Sequence, residues 1–168
     1  MSFCGSLKMI PSAPWILHGE ATAFLASPTS LRLLVNYRDS PVGPYLEHAL
    51  ITLTRRGPHV FQMSVNLEAS KQGGREIWGF PKTLETLGWK DTACQIDFSR
   101  ENQRFRVRKT GLHFPLALPF WTTQELNGQP VRVDATVRAQ ARIGFRGRQL
   151  AVIFEDFEMV FAPPKFVN

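Results

Sequence analysis

Apolar and polar residues alternate along most of this chain, and that period-two pattern limits its fold more than any other feature. Leu31, Leu33, Val35 and Tyr37 alternate with Arg32 and Asn36. Tyr45, Glu47, Ala49, Ile51 and Leu53 share a parity, as do His59, Phe61, Met63, Val65 and Leu67. The pattern returns at Cys94–Phe98, Phe105–Val107, Leu112–Leu118, Val131–Val137 and Ala141–Phe145, and a mostly apolar run from Gln149 to Ala162 closes it. Side chains alternate across a strand, so such runs are half-buried strands. A first strand is expected over Glu20 to Leu25, after a turn at Pro14–Gly19. Arg55-Arg56-Gly57-Pro58 and Asn127-Gly128 are turn signals between antiparallel neighbours. Helical spacing is confined to Thr122–Leu126 and one turn at Leu84–Leu87, while Ala69–Gly74 reads as a small-residue loop. Eight or more strands with few short helices predict a mostly β, mostly antiparallel barrel or sandwich.

The 168 residues suit a single domain, 1–168, and 43% apolar with 20% charged residues is an ordinary globular balance. Disorder is expected only in a short N-terminal lead and at Pro163-Pro164. No apolar run reaches 18 residues, so no membrane span is expected, and the first residues lack the apolar core of a secretory signal. Cys4 and Cys94 share no motif and read as reduced thiols of a cytoplasmic protein. The net charge of +6 gathers in Arg100–Lys109 and Arg138–Arg148. Arg104, Arg106 and Arg108 alternate with Phe105 and Val107, the pattern of a strand with a wet basic face. With no stacking module or zinc motif beside it, nucleic acid is not the expected partner. His18, His48, His59 and His113 show no metal-ligand spacing and are placed at the surface or a pocket edge, and no nucleophile elbow, phosphate loop or dinucleotide motif occurs.

The chemistry concentrates in Gly73–Leu84, GGREIWGFPKTL. Trp78, Phe80 and Pro81 stand directly before Lys82, and Pro81 restricts the local path of the chain. An ammonium is expensive to bury, and a free lysine, with a pKa of about 10.4, is almost wholly protonated at pH 7. Desolvation or a neighbouring cation favours the neutral amine, which can add to a ketone and form a Schiff base. Glu47 is the one charge on an otherwise apolar strand row. Carboxyls so placed are functional candidates, although parity alone allows equally a half-solvated glutamate bonded to a turn.

These residues carry a resemblance. Gly74-Arg75-Glu76-Ile77-Trp78-Gly79-Phe80-Pro81-Lys82 resembles the active-site signature of the acetoacetate decarboxylase family, and Val42-Gly43-Pro44-Tyr45-Leu46-Glu47 resembles the segment with that family's active-site glutamate, at a family-like distance upstream. The likeness extends from Pro14 to about Ala162. It implies a closed or nearly closed β-barrel with Lys82 facing the interior, an imine on Lys82, proton transfer by Glu47, and no cofactor, since the lysine supplies the chemistry. Arg75 would hold the substrate carboxylate or brace Glu76, the latter preferred, and Tyr45, Trp78 and Phe80 would line the pocket. The chain departs from the family pattern at Thr83, where the decarboxylases carry a second lysine, and at Arg32, where an earlier glutamate is expected. The expected activity is imine-based decarboxylation of a small β-keto acid by a homo-oligomer. The alternatives are an aldolase or dehydratase on the same scaffold, or a non-catalytic barrel for a small ligand.

Overall fold

The structure is a computed structural model that describes residues 9–167. Eleven strands and one helix follow in chain order: β1 (Trp15–Ser27), β2 (Ser30–Asp39), β3 (Tyr45–Thr54), β4 (Gly57–Val65), α1 (Glu68–Trp78), β5 (Lys82–Leu84), β6 (Leu87–Asp91), β7 (Gln95–Arg100), β8 (Gln103–Leu126), β9 (Gln129–Arg146), β10 (Gln149–Phe161) and β11 (Lys165–Phe166). They form one sheet in the order β5-β4-β3-β2-β1-β10-β9-β8-β7-β6, with β11 added to β9. The hairpins fall where the turn residues place them. Asn127 and Gly128 take positive φ (52° and 77°) and fold Leu126 back onto Gln129.

The sheet curls, but it is neither a closed barrel nor wholly antiparallel, which corrects the expected architecture. No ladder joins β4 to β8 among the described residues. Side chains span the seam instead: the His59 ring lies 2.7 Å from the Thr123 carbonyl, and the Thr123 hydroxyl donates to the Pro58 carbonyl at 3.3 Å. The inner end of the β4 edge is taken by another strand, while Pro58 and His59 face the seam. The last residues of β4 pair in parallel with β5, Met63 beside Lys82 and Val65 beside Leu84. A parallel neighbour needs a crossover, and α1 supplies it.

That helix occupies the segment expected as a loop. Gly73 and Gly74 weaken it by about 1 kcal/mol each relative to alanine, yet tertiary packing requires both. A Cβ on Gly73 would stand 2.6 Å from the Trp15 ring, and one on Gly74 would stand 2.5 Å from Lys82 Cδ. Thr122–Leu126, expected as helix, is the end of β8, where Thr122, Gln124 and Leu126 are buried in strict alternation. Leu84–Leu87 joins β5 to β6 rather than forming a helical turn. An extra residue in β4 shifts its parity, so Val60 turns inward and Phe61 outward. Pro163-Pro164 leads into β11 and its pairing with β9.

β2 and β3 are covered on both faces. Val35, Tyr37, Tyr45 and Ala49 join one core with Trp15, Trp78, Phe80 and Phe157. Leu34 joins a second, with Phe24, Ile96, Phe98, Phe105 and Val107. The site lies in the first.

Candidate active site

Helix α1 ends at Gly79, in the left-handed conformation with φ 71°, where its N–H reaches the Arg75 carbonyl and that of Phe80 reaches Gly74. A Cβ at Gly79 would meet the Glu125 carbonyl oxygen at 2.1 Å, so only glycine fits. A three-residue turn follows, with the Lys82 N–H donating to the Phe80 carbonyl at 2.8 Å around Pro81. Proline's fixed φ suits that turn. Cap, turn and strand together send Lys82 to the interior and Thr83 to the exterior, where its hydroxyl donates to the Met63 carbonyl.

Lys82 and Glu47 are only 4% and 5% exposed, and Lys82 Nζ lies 2.9 Å from Glu47 Oε2. Nζ also donates to Ser70 Oγ at 3.0 Å and stands 5.2 Å from the centre of the Tyr45 ring. Tyr37 donates its hydroxyl to the other carboxylate oxygen, Oε1, at 3.1 Å. Burial first, and then the Glu47 carboxylate, push the phenols of Tyr37 and Tyr45 well above their ordinary value, so both stay neutral. The amine is therefore not alone in apolar surroundings, as desolvation of a lone lysine would have it. It faces a carboxylate, a hydroxyl and an aromatic ring.

The pair stands at the inner end of an apolar cavity of about 310 Å³. Glu47 and Tyr37 border it, with Phe80, Met63 and Phe161. The same five residues also border a void of about 10 Å³ that touches Lys82, Tyr45 and Trp78. Beyond them the wall is Leu33, Val35, Ala49, Val60, Phe120 and Phe154, among others. Among the described residues, none bordering the cavity carries positive charge, and Lys82 is the one cation at its inner end.

Of the residues singled out in the sequence, Lys82, Glu47, Tyr45, Trp78 and Phe80 meet here. Arg75 and Glu76 do not: both are exposed on α1, where Glu76 accepts from Gln72 at 3.0 Å. They lie on the face of the helix away from Ser70 and Gly74, and so cannot reach the cavity. Thr83 points outward, so the place of the family's second lysine contributes nothing to the interior. Arg32 lies on the other face of β2, stacked on Phe105 at 4.5 Å. His48 is fully buried, against the expected surface or pocket-edge position.

Sequence reasoning missed Tyr37, Ser70 and Gly74. Tyr37 was legible, since it continues the Leu33–Val35 row and pairs with Tyr45, two residues from Glu47. Ser70 and Gly74 are four apart on a helix and share a face, a relation visible only once the segment is known to be helical. Cys94 is exposed and free, while Cys4 lies outside the described residues. No cluster of metal-ligating side chains occurs among the described residues, and no helix is long and apolar enough to cross a membrane.

This is the acetoacetate decarboxylase-like fold. The crystal structure of acetoacetate decarboxylase from Legionella pneumophila superposes with a TM-score of 0.68 at 16% identity, over 94% of this chain and 88% of that one. The enduracididine biosynthesis enzyme MppR, complexed with pyruvate, superposes with a TM-score of 0.60 at 12% identity, over 99% of this chain and 95% of that one. A second acetoacetate decarboxylase gives 0.60 at 12% identity, over 94% and 91%. No family model matches the sequence, and no curated protein does. At these identities the likeness is one of fold, with the chain a divergent example of it.

Proposed function

We propose that the protein is a Schiff-base enzyme that decarboxylates a β-keto acid through an imine on Lys82. The observation that carries this reading is the buried Lys82–Glu47 pair at the inner end of an apolar cavity. Removing two charges from water is unfavourable, and passing one proton from Nζ to Glu47 leaves a neutral amine and a neutral acid. The amine adds to the ketone carbon, and Glu47 returns the proton to the carbinolamine oxygen. Water leaves, and a protonated imine remains. The bond to the carboxylate then breaks, its electron pair enters the imine as an enamine forms, and carbon dioxide departs. Protonation of the enamine carbon and hydrolysis by water release the ketone and regenerate the lysine. Positioned acid–base transfer of this kind contributes about 10²–10⁴ in rate. Tyr37 holds Glu47 so that Oε2 faces the amine, and no cofactor enters any step.

A second reading is supported by the absence of positive charge among the described residues that border the cavity. A substrate carboxylate would have no partner there except Lys82. That promotes loss of carbon dioxide from an acid that binds, but equally suits an imine on a neutral carbonyl, with retro-aldol cleavage or dehydration following. Offering a β-keto acid and a β-hydroxy ketone separately distinguishes the two by product.

Both readings require the imine. Borohydride with a keto acid is expected to fix a mass increment on the peptide containing Lys82 and none on Lys82→Gln. If the wild-type peptide gains no mass, both fail and a ligand-binding protein remains.

A further inference from the structure

The size and lining of the cavity say more about the substrate than the lysine does. At about 30 Å³ per non-hydrogen atom, the share of one water in the liquid, 310 Å³ holds roughly ten such atoms. The void touching Lys82 is only about 10 Å³. By the same measure that void holds no whole atom, so the reacting carbonyl stands at the Glu47 and Phe80 end of the main volume, next to Lys82, and the rest of the substrate lies beyond it. That volume is elongated. The bordering row of β2 runs from Val35 to Leu31 and that of β3 from Glu47 to Ile51, about 13 Å at the strand rise of roughly 3.3 Å per residue. The rim, with Leu118 and Trp121, is 37% and 41% exposed, so the cavity opens at the end opposite the amine. Among the described residues, Glu47 is the one charged group on its wall. A carbonyl compound with a single methyl beside the ketone would leave most of this surface without a partner, and a polar substituent would lose its hydrogen bonds to water there.

We infer that the substrate carries an unbranched apolar substituent of six to eight carbons on its carbonyl carbon, laid along the cavity with the carbonyl at Lys82 and its far end at Leu118 and Trp121. This rests on the imine reading of Lys82. Each methylene buried on such a wall strengthens binding roughly fourfold, so the site discriminates by chain length until the volume is filled.

Methyl ketones of three, four, six and eight carbons form the imine whichever step follows it. They test the chain-length inference separately from the reaction. With borohydride and intact mass as the readout, the half-saturating ketone concentration is expected to fall by at least about 10²-fold from three to eight carbons. Ala49→Phe, which thickens the wall midway, is expected to reduce the eight-to-three-carbon preference at least about tenfold. Adducts that form with a half-saturation independent of length overturn the inference and leave the imine intact. No adduct with any ketone overturns the imine, and this inference with it. The wild-type series decides the matter even if Ala49→Phe does not fold.

Discussion

Two carboxylates meet cations on opposite faces of one strand, Glu47 buried and Glu85 partly so. Glu47 points to one side of β3 and meets Lys82 at 2.9 Å, while on the other side, beside His48, Arg100 holds Glu85 at 2.8 Å. Burial, pairing and aromatic neighbours are common to both. The surroundings of the two pairs differ. Arg100 also touches His48 Nδ1 at 3.2 Å, and His48 stacks on Phe105 among Phe98 and Leu34. Neither space beside Lys82 and Glu47 touches Arg100, Glu85 or His48. Burial raises the Glu85 carboxyl, but hydrogen bonds from Ser64 and Arg100 and the Arg100 charge outweigh it and hold the group below its ordinary value. Glu47 instead borders the 310 Å³ cavity, with Lys82 beside it at a void of about 10 Å³. A buried ion pair is thus no mark of a reactive site by itself, and free space beside the groups sets these two apart.

Removing one cation at a time breaks the comparison most sharply. Lys82→Met and Arg100→Met each strand a buried carboxylate, and each is expected to destabilise the fold by about 3–5 kcal/mol. Only Lys82→Met should abolish the borohydride adduct. Chemical denaturation with adduct mass on the same samples checks both. Loss of the adduct in folded Arg100→Met would mean that the two faces are coupled.

Acid should separate the faces next. Burial, then the charges of Arg100 and Arg32, lower the His48 pKa from 6.5 to about 4. The unfolded chain takes up this proton first, so the stability due to neutral His48 is complete above pH 6.5 and is lost as pH falls toward 4. At about 1.4 kcal/mol per pH unit the loss reaches at most about 3 kcal/mol. Denaturation midpoints from pH 7 to 4 should fall in this way, and His48→Gln should flatten the curve. An unchanged slope in that variant would place the sensitivity elsewhere.

The same two faces show what the sequence makes legible. Glu47 and Lys82 stand out because each is a charge in apolar company, and strand parity sends Glu47 inward without any long-range information. His48, one residue on, reads as unremarkable polar punctuation, because the residues that bury it (Phe98, Phe105 and Arg100) come from strands some fifty residues away. Local pattern carries faces and turns, and it locates most strands. It does not carry closure. Whether a curled sheet seals depends on which edge is free, and here β5, three residues long and reached across a helix, takes the last three residues of the β4 edge. The helix was hidden for the same reason. Its glycines argue against it locally and are present for Trp15, about sixty residues earlier, and for Lys82.

Those adjacent glycines give the finest test of site against scaffold. Alanine is favoured over glycine within a helix by about 1 kcal/mol, so both substitutions should stabilise α1 taken alone. At Gly73 the new methyl would meet the Trp15 ring at 2.6 Å, and a ring packed at 5.1 Å on Trp78 has nowhere to go. Overpacking of that kind costs about 1–3 kcal/mol, so Gly73→Ala should lower stability and leave the rate of adduct formation unchanged once folded. At Gly74 the methyl would meet Lys82 Cδ and Cε at 2.5 and 2.6 Å, atoms of a flexible chain that can swing aside. The movement draws Nζ away from Glu47 and Ser70. Misplacement by about 1 Å can lower a rate about 10²-fold, so Gly74→Ala should keep its stability within about 1 kcal/mol of the parent and form the adduct 10- to 100-fold more slowly. Stopped-time borohydride trapping beside thermal melts measures both. If Gly74→Ala forms the adduct at the parental rate, the close packing of α1 on Lys82 serves the scaffold alone.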